Sequence, residues 1–137
     1  MEGKMNIDEA LRQIQGESAG LTGRAIVNYA QEQLEEEEKV FAAASANIQS
    51  HHGNYPGMIV FTDKRMFAVS GLPGIRRSIS LPLKELRSCK SKKSPLSYTV
   101  TLKTNIDGFS AVLSPQAGEN FSPYISALER AVSKRYQ

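Results

Sequence analysis

The spacing of the hydrophobic residues changes close to Val40. Before this residue, apolar side chains recur every three or four positions, which is typical of amphipathic helices. One such run ends at Gly16 and another covers residues 25–34. After Val40, apolar and polar residues alternate, beginning with residues 40–49, which is the period of a half-buried strand. The sequence therefore predicts two N-terminal helices followed by a β-rich region.

The second N-terminal helix has a predicted start and a predicted weak end. Thr22 is a suitable N-cap, because its hydroxyl can accept a hydrogen bond from a backbone N–H of the first turn. Four glutamates, residues 35–38, follow the helical run, where negative charge opposes the helix dipole, so the helix is expected to fray there. These glutamates could chelate a divalent cation, dock on a basic surface or remain solvated.

Six more strand segments and one helix follow the first strand. The strands are predicted at residues 57–61, 66–69, 75–83, 86–92, 98–102 and 109–113. The C-terminal helix begins at either Pro115 or Pro123, each of which follows a serine that can cap it. Its apolar stripe consists of Phe121, Tyr124, Ile125, Leu128 and Val132. The predicted fold is mainly β with α: seven antiparallel strands in a bent sheet, capped by the C-terminal helix and preceded by N-terminal helices.

The segment from residue 57 to residue 70 resembles part of a known family. It consists of an apolar strand, a Thr-Asp-Lys-Arg turn at residues 62–65, and a second apolar strand that ends in Ser70. This order resembles the second and third strands of bacterial pleckstrin-homology-like (PH-like) domains and of the related GRAM domains. Residues 78–86 are similar to the following strand of that family, and residues 121–132 to its closing helix.

The resemblance implies a domain division and a class of function. It implies a PH-like barrel at residues 37–137, preceded by an N-terminal helical extension at residues 1–36. It also implies a non-catalytic binding module, because this scaffold carries lipid-binding, peptide-binding and self-association surfaces. In PH domains that bind phosphoinositides, the loop between the first two strands usually carries lysines and arginines. Here that loop, residues 50–56, contains no fixed positive charge, so the resemblance does not extend to this site.

Charge is distributed unevenly along the chain. Residues 1–39 contain four basic and nine acidic residues, whereas residues 62–93 contain nine basic and two acidic ones. Such asymmetry favours either an anionic partner for residues 62–93, here called the basic segment, or internal docking of residues 1–39, here called the acidic arm. The candidate residues for binding an anion or a lipid are Arg76, Arg77, Lys84, Arg87, Lys90, Lys92 and Lys93.

These cations fall on predicted neighbouring strands and turns, so several of them are expected to share one face. The alternation of side chains along a strand opposes a single patch, because Arg76 and Arg77 must point to opposite faces. The alternative is that these cations form an ordinary solvated surface. Leu72 and Ile75 lie in the preceding turn and are candidates for membrane contact beside basic anchors. The alternative for this pair is that both side chains fold back against the barrel rim.

Other reactive chemistry is sparse. His51 and His52 would face apart in an extended segment, and no other cluster supplies metal ligands. Cys89 is the only cysteine, which excludes an internal disulfide and suits a reducing compartment. Nearby cations would favour its thiolate, but no base is identifiable. Because nucleotide-binding, zinc-protease and serine-hydrolase motifs are also absent, the sequence predicts neither an enzyme nor a cofactor.

Two functions remain open. As an interaction module, the chain would bind a protein or a second copy through a strand edge or the N-terminal helices, and a homo-oligomer is expected. As a peripheral membrane protein, it would bind anionic lipid through the basic strands, with the acidic arm as an internal competitor. Nucleic acid is disfavoured because the basic segment has few aromatic residues. With no signal peptide and no apolar stretch of about 20 residues, a cytoplasmic location is expected.

Overall fold

The computed structural model describes residues 6–17, 23–72 and 74–135, without the side chain of Leu72. Within these ranges it has the helices α1 (Ile7–Gln15), α2 (Arg24–Gln33) and α3 (Pro115–Arg135), and a 3₁₀ turn at Leu83–Glu85. The strands are β1 (Val40–Ser50), β2 (Gly53–Thr62), β3 (Arg65–Leu72), β4 (Ile75–Pro82), β5 (Ser88–Lys93), β6 (Tyr98–Lys103) and β7 (Gly108–Leu113). They form one seven-stranded antiparallel sheet in the order β4-β3-β2-β1-β7-β6-β5, which confirms the predicted fold class.

The two N-terminal helices end close to where the sequence predicts. Asn6 caps α1 by accepting a 2.8 Å hydrogen bond from the backbone N–H of Glu9, and Gly16 ends the helix with a φ of 85°. Helix α2 ends at Gln33, before the acidic residues 35–38. The predicted N-cap Thr22 lies outside the described residues, and Gly23 occupies the N-cap position of α2.

The turn between β1 and β2 is shorter than predicted. Residues 50–56 are expected as a turn, but β2 already begins at Gly53, so only His51 and His52 connect the strands. Gly53 has a φ of 117°, a conformation that favours glycine, and the next three residues pair with β1. The bounds of β4 and β5 also differ from the predicted residues 75–83 and 86–92. Strand β4 ends at Pro82, where the 3₁₀ turn follows, and β5 starts at Ser88.

Helix α3 uses the earlier of its two predicted starts. The Ser114 hydroxyl accepts a 3.2 Å hydrogen bond from the backbone N–H of Ala117, as an N-cap does. The helix continues through Pro123, which has no N–H to offer the carbonyl of Glu119. The Ser122 hydroxyl donates a 3.0 Å hydrogen bond to that carbonyl instead, so the proline leaves no acceptor unsatisfied there.

Hydrophobic cores lie on both faces of the sheet. The inner core, inside the barrel, takes residues from every strand and the stripe of α3: Phe121, Ile125, Leu128 and Val132. The outer core lies on the opposite face of β1–β3, where α1 and α2 cover Met58, Val60, Phe67 and Val69. The apolar stripes of the N-terminal helices are therefore buried on the chain's own barrel. No helix of the described residues has the length and apolar character needed to cross a bilayer.

Polar contacts fix α1 in place. The Gln15 side chain accepts a 2.8 Å hydrogen bond from the backbone N–H of Ser45 and donates one of 3.0 Å to its hydroxyl. Asn120 of α3 donates a 2.8 Å hydrogen bond to the carbonyl of Ile14. The pairing of β1 with β7 begins only at Asn47, so it does not reach Ser45. Gln15 thus provides the hydrogen-bond partner that the backbone N–H of Ser45 needs.

Candidate functional site

Five of the seven candidate cations lie on two separate edges of the sheet. Arg76 and Arg77 belong to β4, and Lys90, Lys92 and Lys93 belong to β5, which are the two terminal strands of the sheet. The expectation that these strands are neighbours is wrong. The first four strands end at Pro82, and the sheet continues through the long-range pairing of β1 with β7. Two strands therefore lie between β4 and β1, and three strands, β7, β6 and β5, lie beyond β1.

All seven candidate cations are exposed, and they face different directions. Arg77 has the parity of the buried residues Ile79 and Leu81 and so lies on the inner face near the end of the barrel, whereas Arg76 lies on the outer face. This agrees with the prediction that the two arginines point apart. Lys84 lies on the 3₁₀ turn, and Arg87 donates a 2.9 Å hydrogen bond to the side-chain oxygen of Asn105.

The β1–β2, β3–β4 and β6–β7 turns surround one end of the barrel, here called the open end. A guanidinium nitrogen of Arg77 lies 3.4 Å from Nδ1 of His52, which joins β4 to the β1–β2 turn. A groove of about 360 Å³ is lined by His51 and also by Lys103, Thr104 and residues 106–110, so it connects the β1–β2 turn to the β6–β7 turn. The three turns therefore form one surface.

Two large apolar side chains are exposed at the open end. Ile106, in the β6–β7 turn, is 91% exposed, and Ile75, at the start of β4, is 53% exposed. The exposure of Ile75 contrasts with the alternative in which it folds back on the rim, and the side chain of Leu72 lies outside the described residues. The sequence reasoning missed Ile106, although a lone apolar residue between Asn105 and Asp107 is a signal that could have identified it.

The two histidines do not face apart. Their ring centroids lie 4.0 Å apart, because the residues form a tight turn rather than extended strand. Among the described residues, no group of three or more histidine, cysteine or acidic side chains is positioned to hold a metal ion.

A larger groove, of about 440 Å³, lies between the end of α1 and the start of α3. Its lining includes the amides and hydroxyls of Gln15, Asn47, Ser114 and Gln116 beside apolar residues. Glu17 is the one charged residue among the described residues that line it, so this groove does not attract anions.

The four glutamates at residues 35–38, here called the acidic block, dock on the start of the basic segment. Both carboxylate oxygens of Glu38 accept hydrogen bonds from Arg65, at 2.8 and 2.9 Å, and Thr62 donates to the same carboxylate at 2.6 Å. The guanidinium also donates to the carbonyl of Gln33 and lies 4.4 Å from the ring centre of Phe67. The Thr-Asp-Lys-Arg turn thus holds the link between α2 and β1.

Glu38 is the buried carboxylate of this network. Its side chain is completely inaccessible, and that of Arg65 is 16% exposed. Burial by itself raises the pKa of Glu38, but hydrogen bonds from Arg65 and Thr62 outweigh that effect and lower the pKa from 4.5 to about 2. Glu35 reaches Lys64 at 3.3 Å on the surface. Glu35 and Glu38 of the acidic block therefore contact the β2–β3 turn, through Lys64 and Arg65.

Cys89 is not activated. Its side chain is buried in the inner core, and burial, together with the carboxylate of Glu129, raises the pKa of the thiol to about 12. The expectation that neighbouring lysines favour the thiolate is wrong, because Cys89 faces the core whereas Lys90 and Lys92 lie on the opposite face of β5.

Comparisons with known proteins agree with this architecture. The model of the family described as "Bacterial PH domain" matches residues 34–111, more than half of the chain. The structure is similar to the Vps36 N-terminal PH domain, with a TM-score of 0.53, 17% identity, and coverage of 74% of this chain and 83% of that one. It is also similar to a DUF1696 family protein with a pleckstrin-homology domain from Shewanella loihica PV-4, with a TM-score of 0.50, 17% identity, and coverage of 76% and 96%. No curated protein has significant similarity to the chain. The chain belongs to the bacterial PH domain family.

Proposed function

We propose that this domain is a non-catalytic binding module that docks on anionic membrane surfaces through the open end. The PH-like fold supports a binding role, since PH domains bind proteins or lipids and are generally not catalytic. The choice of a membrane surface depends on the residues at the open end. In this proposal the protein works in the cytoplasm, at the periphery of the membrane.

The observation that carries the proposal is the exposure of two isoleucines beside two arginines. Ile75 and Ile106 are exposed at turns of the open end, and Arg76 and Arg77 follow Ile75 directly. Most other large apolar side chains of the described residues are buried in the two cores. Apolar side chains that enter the interface beside cations that meet the headgroups are the usual means of peripheral membrane attachment.

The open end suits a charged surface better than a single phosphoinositide headgroup. The β1–β2 turn consists of His51 and His52 and carries no fixed positive charge. An arginine near an anionic membrane contributes about 1 kcal/mol, and burying an isoleucine side chain contributes about 1.5–3 kcal/mol. Two of each are sufficient for reversible, salt-sensitive attachment.

The test is co-sedimentation with vesicles of phosphatidylcholine alone and of phosphatidylcholine mixed with phosphatidylserine. We expect the wild type to pellet only with the mixed vesicles, and less so at high salt. The double variant Ile75→Ser/Ile106→Ser should bind at least about tenfold more weakly. Arg76→Ser/Arg77→Ser should also bind more weakly and should lose most of the salt dependence.

Leu96→Ser is the matched control for the isoleucine variants. Leu96 is 88% exposed in the turn between β5 and β6, at the opposite end of β6 from the β6–β7 turn. It should bind like the wild type. Equal losses in the Leu96 and isoleucine variants, or no binding by the wild type, would reject membrane docking through the open end.

Association with a protein, including a second copy of the chain, is the second candidate. It is favoured by β4, which is an edge strand whose residues 75–78 are all exposed and whose backbone can pair with another strand. The buried stripes of α1 and α2 make the helices a poor route to a homo-oligomer. Light scattering over a range of concentrations decides this point, since a constant monomer mass excludes self-association.

A further inference from the structure

The outer face of β5, β6 and β7 is uncovered in the described part of the chain. Helices α1 and α2 pack on the outer face of β1–β3, and α3 packs against the inner face of the β5–β6 hairpin. The hydroxyl of Ser91 on the inner side donates to Glu129 of α3 at 2.9 Å. The outward residues of the three strands are therefore open to a partner.

Three lysines lie on this face. Lys90 and Lys92 are outward residues of β5, and Lys103 is the last outward residue of β6. Because Lys90 pairs with Thr101, Lys103 is its diagonal neighbour across the strands, and Lys92 lies two residues further along β5, at roughly 7 Å. The three side chains, here called the lysine face, are all exposed.

The strands supply no carboxylate for these lysines. The other outward residues of the three strands are serine, threonine, valine and glycine, and no ion pair of the described residues includes a lysine of this face. Neighbouring like charges destabilise a sheet. Lysines on an edge strand can be explained as protection against strand pairing, which applies to Lys90 and Lys92. Lys103 lies on β6, which has a strand on each side, so that explanation does not cover it.

The lysine face continues into the groove at the β6–β7 turn. Lys103 lines this groove of about 360 Å³ together with the hydroxyls of Thr101 and Ser110, which lie 2.9 Å from each other. The groove contains one carboxylate, that of Asp107, which accepts a 2.9 Å hydrogen bond from the backbone N–H of Gly108. Exposed ammonium groups beside hydroxyl donors form a suitable surface for carboxylates.

We infer that the lysine face binds an acidic segment of a partner protein in an extended conformation. Alternate side chains of an extended peptide lie on one face at the same spacing as Lys90 and Lys92, so glutamates two residues apart match the lysines. The face has no exposed aromatic residue to stack on bases, which disfavours nucleic acid. Its strand residues offer no large apolar side chain for insertion, which disfavours a bilayer.

The test measures fluorescence anisotropy with a labelled peptide of alternating glutamate and serine, at low ionic strength. We expect binding that weakens with salt, and none with the peptide in which glutamine replaces glutamate. Lys90→Ser/Lys92→Ser and Lys103→Ser should each weaken binding, the double variant by about fivefold or more. Lys84→Ser/Lys134→Ser removes the same charge from exposed positions elsewhere and should stay close to the wild type.

The alternatives give different outcomes. An equal loss in the two double variants would mean attraction by net charge only and would overturn the inference, as would the absence of binding by the wild type. If the lysine variants lose binding to a single-stranded oligonucleotide or to phosphatidylserine vesicles but not to the peptide, the face belongs to that ligand and the inference is wrong. Failure here leaves the proposed membrane docking intact, because Ile75→Ser/Ile106→Ser tests different residues.

Discussion

The buried ion pair between Glu38 and Arg65 provides a test of how the link between α2 and β1 is attached to the barrel. The change is Glu38→Gln, which keeps the shape of the side chain and removes its charge. In the variant, the amide presents an NH₂ group where one carboxylate oxygen now accepts hydrogen bonds. Arg65, which is only 16% exposed, would keep its charge and lose its counterion.

The magnitude follows from the pKa of Glu38. A fall from 4.5 to about 2 corresponds to a stabilisation of about 3 kcal/mol at neutral pH. Removing one partner of a buried ion pair costs about 3–5 kcal/mol in other proteins, which agrees with this value. We therefore expect the free energy of unfolding to fall by about 3 kcal/mol.

The dependence on pH distinguishes this mechanism from a loss of packing. Because the pKa of Glu38 is lowered in the folded state, its contribution is complete above about 4.5 and is lost as the pH falls towards about 2. The wild type loses this stability on acidification, and the glutamine variant has none to lose. The difference between them, measured by urea unfolding at several pH values, should shrink steadily below pH 4.5.

Glu37→Gln is the control, because Glu37 is the preceding residue and is exposed. It should change the free energy of unfolding by less than about 0.5 kcal/mol. If Glu38→Gln lowers the free energy of unfolding as little as the control, or by the same amount at neutral and at acidic pH, the ion pair does not hold the link between α2 and β1 as described.

Two further predictions concern the packing of the barrel. A Cβ at Gly118 would lie 2.2 Å from Cβ of Tyr98, so Gly118→Ala should destabilise the fold by about 1–3 kcal/mol in urea unfolding. Alanine is the better helix former, so a stabilised variant would contradict this close contact. Cys89, with a thiol pKa of about 12, should react with a thiol reagent at mildly alkaline pH only after unfolding. Rapid labelling of the native protein would show that the thiol is accessible.

The strands were predictable because β4, β6 and β7 bury alternate residues, and β2 and β3 bury continuous apolar runs. Val40 marks the start of β1, and the stripe of α3 enters the barrel as its spacing indicates. Turn lengths were less predictable, since the early start of β2 depends on the positive φ of Gly53 and on pairing of residues 54–56 with β1.

The candidate site was predictable only in composition. All the basic residues proposed for binding are exposed, but their distribution over two edges follows from the pairing of β1 with β7, which connects residues more than 60 positions apart in the sequence. The partner of Arg65 was missed for a similar reason. Nothing in a run of four glutamates shows that Glu38 alone is buried, because that depends on where the β2–β3 turn lies.

The positions of the helices determine which surfaces remain for binding. Since α1 and α2 occupy the outer face of β1–β3, the apolar stripes that suggested self-association are already buried. The open end and the lysine face are left together with the edge of β4. The first two differ in chemistry: isoleucines lie beside arginines at the open end, and lysines lie beside hydroxyls on the lysine face. A bilayer requires the first combination and an acidic peptide the second. Because no substitution is shared between the two tests, each surface can be tested separately, even though both reach the groove that Lys103 and Ile106 line.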